Sequence, residues 1–132
     1  MIHTLRLETQ KRNQWIDITF LIEGFLQNSQ IKDGAAIIYC PHTTAGITIN
    51  ENADPDVSRD MLRRLDEICP WDIAQDKHGE GNSAAHLKAS LMGSSQTVII
   101  KEGRLLLGRW QGVYFCEFDG PRSRECFVKI LA

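Results

Sequence analysis

Ala35-Ala36-Ile37-Ile38-Tyr39-Cys40-Pro41-His42-Thr43-Thr44-Ala45-Gly46-Ile47-Thr48-Ile49-Asn50 is the stretch that decides the fold class. Its first part, Ala35 to Cys40, is almost wholly apolar, as in a strand buried on both faces. Its last part, Gly46 to Asn50, alternates through Ile47 and Ile49, as in a strand with one buried face. A short polar segment separates the two. Strand follows strand here, so the chain does not run in strict β-α alternation, and a doubly wound sheet is disfavoured.

Outward from this stretch the pattern continues. Toward the N-terminus, Asp33-Gly34 reads as a turn, and Thr19 to Ser29 carries Ile22, Phe25 and Leu26 at helical spacing, with Thr19 as N-cap. Thr4 to Glu8 and Gln14 to Ile18 alternate, and Lys11, Arg12 and Asn13 between them suggest a hairpin. Toward the C-terminus, Asp54 caps a helix with Pro55 at its first position and a Val57, Met61, Leu65, Ile68 stripe; Pro70 stops it. Residues 71–81 are polar and glycine-containing, a loop.

A second helix should run from about Asn82 or Ser83 to Met92, with Ala84, Leu87 and Leu91 inward and Gly93 as C-cap. Thr97 to Ile100 is a strand and Gly103 to Gly108 a turn. Gly112 to Phe118 and Glu125 to Leu131 are strands joined by Asp119-Gly120-Pro121, a hairpin signal. About seven strands and three helices predict a single α+β domain over residues 1–132 with mixed or antiparallel sheets. So many strands in a short chain leave faces and edges that copies of the same subunit can cover.

Composition narrows the function classes. The chain has 132 residues, 42% hydrophobic and 24% charged, enough for one core without a metal or disulfide. The net charge of -2 lacks the basic excess of a nucleic-acid binder. No apolar run approaches the ~20 residues of a membrane span, and Met1 to Glu8 does not read as a signal peptide. Cys40, Cys69, Cys116 and Cys126 form no CxxC pair, so we read them as reduced and the protein as cytoplasmic.

Three of the four histidines fall among the densest polar patches. His42 follows a buried strand. His78 opens His78-Gly79-Glu80-Gly81-Asn82, and His86 lies one helical turn beyond Asn82. Histidine is the commonest metal ligand, and a catalytic zinc site often uses three protein ligands and one open position. Glu51 or Glu80 would serve as a base beside it. The spacing is neither HExxH nor a cysteine array. The plainer readings stand equally: His42 caps a turn, His86 bonds Asn82, and His78 is solvated. His3 reads as structural, on the Leu5 and Leu7 side of its strand.

Arg122 and Arg124, two apart on an extended segment, point to one side and suit a phosphate or carboxylate. Their plain alternative is a surface salt bridge with Glu117 or Asp119. In Gly103-Arg104-Leu105-Leu106-Leu107-Gly108-Arg109-Trp110-Gln111, Trp110 can stack on a ligand or plug a pocket.

Taken together and in order, Pro41-His42-Thr43-Thr44-Ala45, Ile49-Asn50-Glu51-Asn52, His78 with Glu80 and Asn82, Ala85-His86, Gly103 to Gln111 and Pro121-Arg122-Ser123-Arg124 resemble the YjbQ-like family, also called secondary thiamine-phosphate synthase enzymes. The resemblance runs from about Trp15 to Leu131. Its closest element is Gly103-x-Leu105-x-Leu107-Gly108-x-Trp110-Gln111; Arg109 stands where many members have threonine. It implies sheets packed about a threefold axis in a homotrimer. It also implies a pocket where His42, His78 and His86 meet around a metal, for which the histidines themselves suggest a divalent ion, zinc foremost, with Glu51 and Asn82 nearby.

The activity implied is thiamine phosphate synthesis, which joins a pyrimidine pyrophosphate to a thiazole phosphate and expels pyrophosphate. In that reading His42, Glu51 and Asn82 are catalytic, and Arg122, Arg124, Trp110 and Gln111 hold the phosphorylated substrate. The alternatives are a metal-dependent hydrolase, a non-catalytic trimer that binds a metal or small anion, and a structural trimer whose histidines only hydrogen-bond.

Overall fold

The computed structural model describes residues 2–132. Its strands are β1 (Ile2–Glu8), β2 (Gln14–Asp17), β3 (Asp33–Tyr39), β4 (Ala45–Glu51), β5 (Ser95–Lys101), β6 (Arg104–Leu105), β7 (Gln111–Glu117) and β8 (Ser123–Leu131). Its helices are α1 (Thr19–Ser29), α2 (Pro55–Ile68) and α3 (Ser83–Met92). The fold is α+β, as expected, and every ladder is antiparallel.

There are two sheets. One has five strands in the order β1-β8-β3-β5-β6, and the other three, β2-β7-β4. Leu5, Leu7, Ile38, Val98, Ile100, Cys126 and Val128 of the large sheet pack with Ile47, Val113 and Phe115 of the small one, and Ile18, Ile22 and Leu26 belong to the same core. A second core joins the small sheet to α2 and α3 through Tyr114, Cys116 and Phe118, with Leu65, Ala85 and Ala89. Strand β7 is therefore buried on both faces, which explains its nearly unbroken apolar run.

Two expected hairpins are not hairpins. β1 pairs with β8 and β2 with β7, so residues 9–13 cross from one sheet to the other. Likewise β7 and β8 lie in different sheets, and Asp119-Gly120-Pro121 is a crossing. The β3–β4 connection at 40–44 crosses too. Turn chemistry marks a change of direction but does not say which strand is the partner. Asp33-Gly34 opens β3 and is not a turn; a Cβ on Gly34 would lie 2.1 Å from the Leu131 carbonyl oxygen.

The helices show where propensity and packing part company. Asp54 caps α2 by accepting the Asp56 N–H at 2.9 Å, with Pro55 at the first turn, as its sequence dictates. In α1 the capping group is the Asp17 carboxylate, which accepts the Thr19 N–H, so Thr19 is the first helical residue and not the cap. In α3, Leu87 and Leu91 face outward, and Ala84, Ala85, Lys88 and Ala89 are buried. The helix lies so close to β4 that a Cβ on Gly46 would stand 2.7 Å from the Gly93 carbonyl oxygen. Small residues permit that approach and leucines do not. In α2, Leu65 is inward but Ile68 is exposed, and Cys69 takes the buried place after it.

Among the described residues no helix is long and apolar enough to cross a membrane. The four cysteines are all free and buried.

A candidate active site at a sheet crossing

Three segments converge on one open cleft of about 410 Å³. They are the β3–β4 crossing at 41–44, the stretch 78–86 that enters α3, and the β7–β8 crossing with the start of β8. A neighbouring depression of about 500 Å³ shares His42, Thr43 and His86 with it.

His42 is placed by the end of β3. Pro41 has no N–H to continue the ladder, and the chain turns away. The free N–H of Glu125 on β8 donates instead to His42 Nε2 at 3.0 Å. A nitrogen that accepts is unprotonated, so the proton of the neutral ring sits on Nδ1. Burial, and then the positive charge of Arg124, push the His42 pKa below its ordinary value of 6.5. His42 is thus a neutral ring with an Nδ1–H donor.

Beneath it lies a buried ion pair. Arg124 donates from Nε to Glu117 Oε1 at 2.8 Å and from Nη2 to Glu117 Oε2, and both side chains are almost without solvent exposure. Arg124 Nη2 also donates to Thr44 Oγ1 at 2.8 Å, which ties the 41–44 segment to β8. Glu117 accepts further bonds from Thr9 Oγ1 and from the Phe118 and Asp119 N–H groups. Burial alone would raise its carboxyl pKa; the hydrogen bonds from Arg124, Asp119 and Thr9 outweigh burial and hold it below the usual carboxylate range.

The third segment is linked through Asp119. Its Oδ2 accepts from Asn82 Nδ2 at 2.8 Å and from Arg122 Nη2 at 3.0 Å. Asn82 is 5% exposed and stands before α3 without capping the helix through its side chain. His86, in the first turn of α3, meets His78 edge to face with ring centroids 5.4 Å apart. All three of these histidines therefore line one cleft.

A family model described as UPF0047 protein YjbQ-like matches residues 3–132. The chain belongs to the YjbQ-like UPF0047 family. It is 63% identical to the UPF0047 protein YugU of Bacillus subtilis (strain 168) over 131 residues, covering 99% of each chain. It is 53% identical to the UPF0047 protein MJ1081 of Methanocaldococcus jannaschii, covering 99% of this chain and 94% of that one. Among solved structures it resembles an uncharacterized YjbQ/UPF0047 protein of Clostridium acetobutylicum, with a TM-score of 0.95, 58% identity and coverage of 98% and 99%. It also resembles a hypothetical protein, APE1520, of Aeropyrum pernix, with a TM-score of 0.94, 32% identity and coverage of 100% and 98%.

Not every motif of the YjbQ-like pattern gathers in the cleft. Ala45 pairs with Glu117 at the cleft end of β4, whereas Glu51 pairs with Gln111 at the other end. At ~3.4 Å per residue that separation is about 20 Å. Within one chain, then, Glu51, Trp110 and Gln111 do not join His42. There they build loops: Glu51 accepts the Asp54 N–H, and Gln111 Oε1 accepts the Gly108 N–H at 2.7 Å. Trp110 is half exposed under the Arg109 guanidinium. The two arginines do not share one environment either. Arg122 is partly exposed beside Asp119, while Arg124 is buried on Glu117.

The three-histidine metal set does not fit this geometry. His42 has committed Nε2 to the Glu125 N–H and carries its proton on Nδ1, so the ring offers no free lone pair. Among the described residues no group of three or more His, Cys, Asp or Glu side chains is arranged to hold a metal ion. His78 and His86 are the imidazoles left for that role. Reading the sequence alone named Asp119 and Glu117 only as surface salt-bridge partners of the two arginines; the pairs form, Arg122 with Asp119 and Arg124 with Glu117, but the second is buried and Asp119 lines the cleft. Its Gly-Pro neighbours gave it the look of a turn, although its place beside Arg122 carried the pairing signal.

Proposed function

We propose that this protein is a thiamine phosphate synthase-like transferase, of secondary activity, acting on small phosphorylated substrates in the His42–His78–His86 cleft. The observation that supports it most is the convergence of three histidines and Arg122 on one open, polar cavity from three separate segments. In this reading Arg122 holds phosphate oxygens bidentately. The neutral His42 donates from Nδ1 to a phosphate oxygen, and Asn82 orients the substrate. The transfer breaks the carbon–oxygen bond to pyrophosphate and forms the carbon–nitrogen bond to the thiazole. The electron pair departs with pyrophosphate, whose charge Arg122 and His42 stabilise. Arg124 supports that work from below, holding Thr44 and the turn that carries His42.

A divalent ion, zinc by the preference of imidazole donors, would in this reading be held by His78 and His86 without His42. When bound it supplies Lewis-acid neutralisation of phosphate charge. The reading also includes a homotrimer. Ile37, Tyr39, Ile99 and Phe127 lie on the outer face of the large sheet, where Tyr39 and Ile99 are 44% and 60% exposed, a face suited to a second copy. The four free thiols accord with a reducing, cytoplasmic setting.

A second reading is a trimer that binds a small anion or a metal without turnover. It draws support from the carboxylates: Glu117 and Asp119 are both engaged in ion pairs, which leaves few free bases at the cleft. Metal-dependent hydrolysis is the third.

One series of measurements separates the first two readings. Elemental analysis of tag-free protein, light scattering for the oligomer, and calorimetric titration with inorganic pyrophosphate come first. Turnover of the pyrimidine pyrophosphate with the thiazole phosphate then follows, beside Arg122→Ala. Pyrophosphate binding that Arg122→Ala abolishes, together with product formation, supports the transferase. Binding without turnover supports the binding module, and no binding sinks both phosphate readings.

A further inference from the structure

His42, Thr43 and His86 border two depressions at once, the cleft of about 410 Å³ and its neighbour of about 500 Å³. Both volumes fall in the range of roughly 300–1,000 Å³ usual for small-molecule sites. The neighbour forms where α3 meets β4. Its buried lining residues, Ala45 and Ala89, carry only a methyl, and Gly93 carries no side chain, so a flat guest can come close to the backbone. Ser90 and Ser94 line it as exposed residues.

The polar groups around this second depression are already engaged. The Ser90 hydroxyl donates to the His86 carbonyl at 3.0 Å, and the Gly93 N–H donates to the Ala89 carbonyl at 2.9 Å. The Gly93 and Ser94 carbonyls accept the Ile47 and Cys40 N–H groups at 3.0 and 2.8 Å. A guest there need not supply hydrogen bonds.

Charge divides the two depressions. Glu80, Asp119, Arg122 and Arg124 line the cleft. Among the described residues no Asp, Glu, Lys or Arg lines its neighbour. A phosphate moved into the neighbour would give up water without gaining a guanidinium. An uncharged ring loses little water there and can stack against the bordering imidazoles. A ligand matched to both depressions has a phosphate at one end and a neutral ring at the other.

We infer that the second depression is the subsite for an uncharged aromatic or heteroaromatic ring whose phosphorylated arm reaches past His42 into the cleft, so that the protein selects ring-bearing phosphate monoesters over those of small alkyl alcohols. This rests on the phosphate reading above and adds to it a place for the ring and a rule of selection.

The test compares benzyl phosphate with methyl phosphate by calorimetry, in EDTA-containing buffer so that no divalent ion mediates the contact. The two carry the same charged group and differ by the ring. We expect benzyl phosphate to bind about tenfold more tightly, as a partly covered ring should. Ser90→Trp and Ser94→Trp each bring an indole into the second depression from a separate segment, at an exposed position. Each should reduce the ratio to about two or less. The ratio is taken within each variant, so a general loss of affinity does not imitate the effect. On the unaltered protein, the Ala45 and Ala89 methyl resonances should shift with benzyl phosphate and not with methyl phosphate.

Equal affinity for the two probes, or a tenfold preference that survives in either variant, overturns the inference and leaves the phosphate reading standing. Failure of both probes to bind removes the phosphate reading and the inference with it. Methyl resonance shifts that are identical for the two probes also overturn it, even if neither variant folds.

Discussion

The Glu125 backbone N–H donates to His42 Nε2 at 3.0 Å, so a side chain completes the ladder that β3 leaves unfinished. This one bond sets the tautomer of His42, and burial together with Arg124 sets its charge. A neutral His42 is what the folded state prefers. Unfolded, the ring takes up a proton near its ordinary pKa of 6.5; folded, it does so only at lower pH. Between those two values the unfolded state binds more protons, so stability rises with pH there and falls on acidification. We expect an NMR titration of His42 to show a midpoint below 6.5. We also expect the loss of stability between pH 7 and pH 5 to shrink in His42→Gln, which keeps an acceptor and cannot titrate.

The Glu117–Arg124 pair should behave as a buried unit. Removing one partner strands a charge in a dry site, at a cost of about 3–5 kcal/mol. Glu117→Gln and Arg124→Met are each expected to lower the urea midpoint steeply, whereas the double variant Glu117→Gln/Arg124→Met, which keeps an acceptor for the Thr9, Phe118 and Asp119 donors, should lose less than the two singles together. A double variant as unstable as the sum of the singles would show that the two groups act independently. Because the Glu117 carboxyl is held below its usual range, its share of stability is present above the unfolded pKa and lost as pH falls through the folded one.

Lys88, 1% exposed, donates to Asp66 and, at 3.3 Å, to Asn13 Oδ1, which fastens α3 to α2 and to the first crossing. Asp66 is half in solvent, so screening reduces the value of the contact. Asp66→Asn should cost about 1–3 kcal/mol by leaving the ammonium underpaired. Lys88→Met, which fills the same space without charge, should cost less. Thermal melts of the two variants side by side decide the order.

Gly46→Ala adds a methyl where 2.7 Å separates it from the Gly93 carbonyl oxygen. Overpacking of that kind costs about 1–3 kcal/mol, and the relief available is for α3 to move. Since α3 carries His86 and begins beside Asn82, the phosphate affinity proposed for the cleft should fall more than the change in stability alone accounts for. Retention of full affinity in a destabilised Gly46→Ala would mean that the helix position does not set the cleft.

Local signals in the sequence were sound at α2 but not at Thr19, where the Asp17 carboxylate takes the N–H, nor at Asp33-Gly34, which opens a strand. Asp54-Pro55 starts α2 and Pro70 follows it, for reasons contained in a few neighbouring residues; residues 35–39 lie in a central strand as expected, but only its Ala36 and Ile38 face is buried, not both faces. What the sequence concealed is partner choice. Lys11-Arg12-Asn13 and Asp119-Gly120-Pro121 announce turns equally well whether the next strand returns to the same sheet or enters another one. The α3 face was hidden for a different cause: Gly46 permits so close an approach that alanines, not leucines, face inward. The histidine cluster was legible through family resemblance. The roles of its members needed coordinates, because the Glu125 N–H that claims His42 lies on a strand far away in the chain. Glu51 and Gln111 share the motif order but occupy the other end of β4 and β7.

Two of the three segments that form the cleft are places where the chain passes between the two sheets. Neither sheet alone can present the cavity, so occupancy and global folding are linked equilibria. A ligand held there at a hundred times its Kd should add about 2.7 kcal/mol to the unfolding free energy of the entire molecule. The melting temperature thereby becomes a gauge of cleft occupancy, which allows substrates to be sought without a label and without knowing the reaction beforehand.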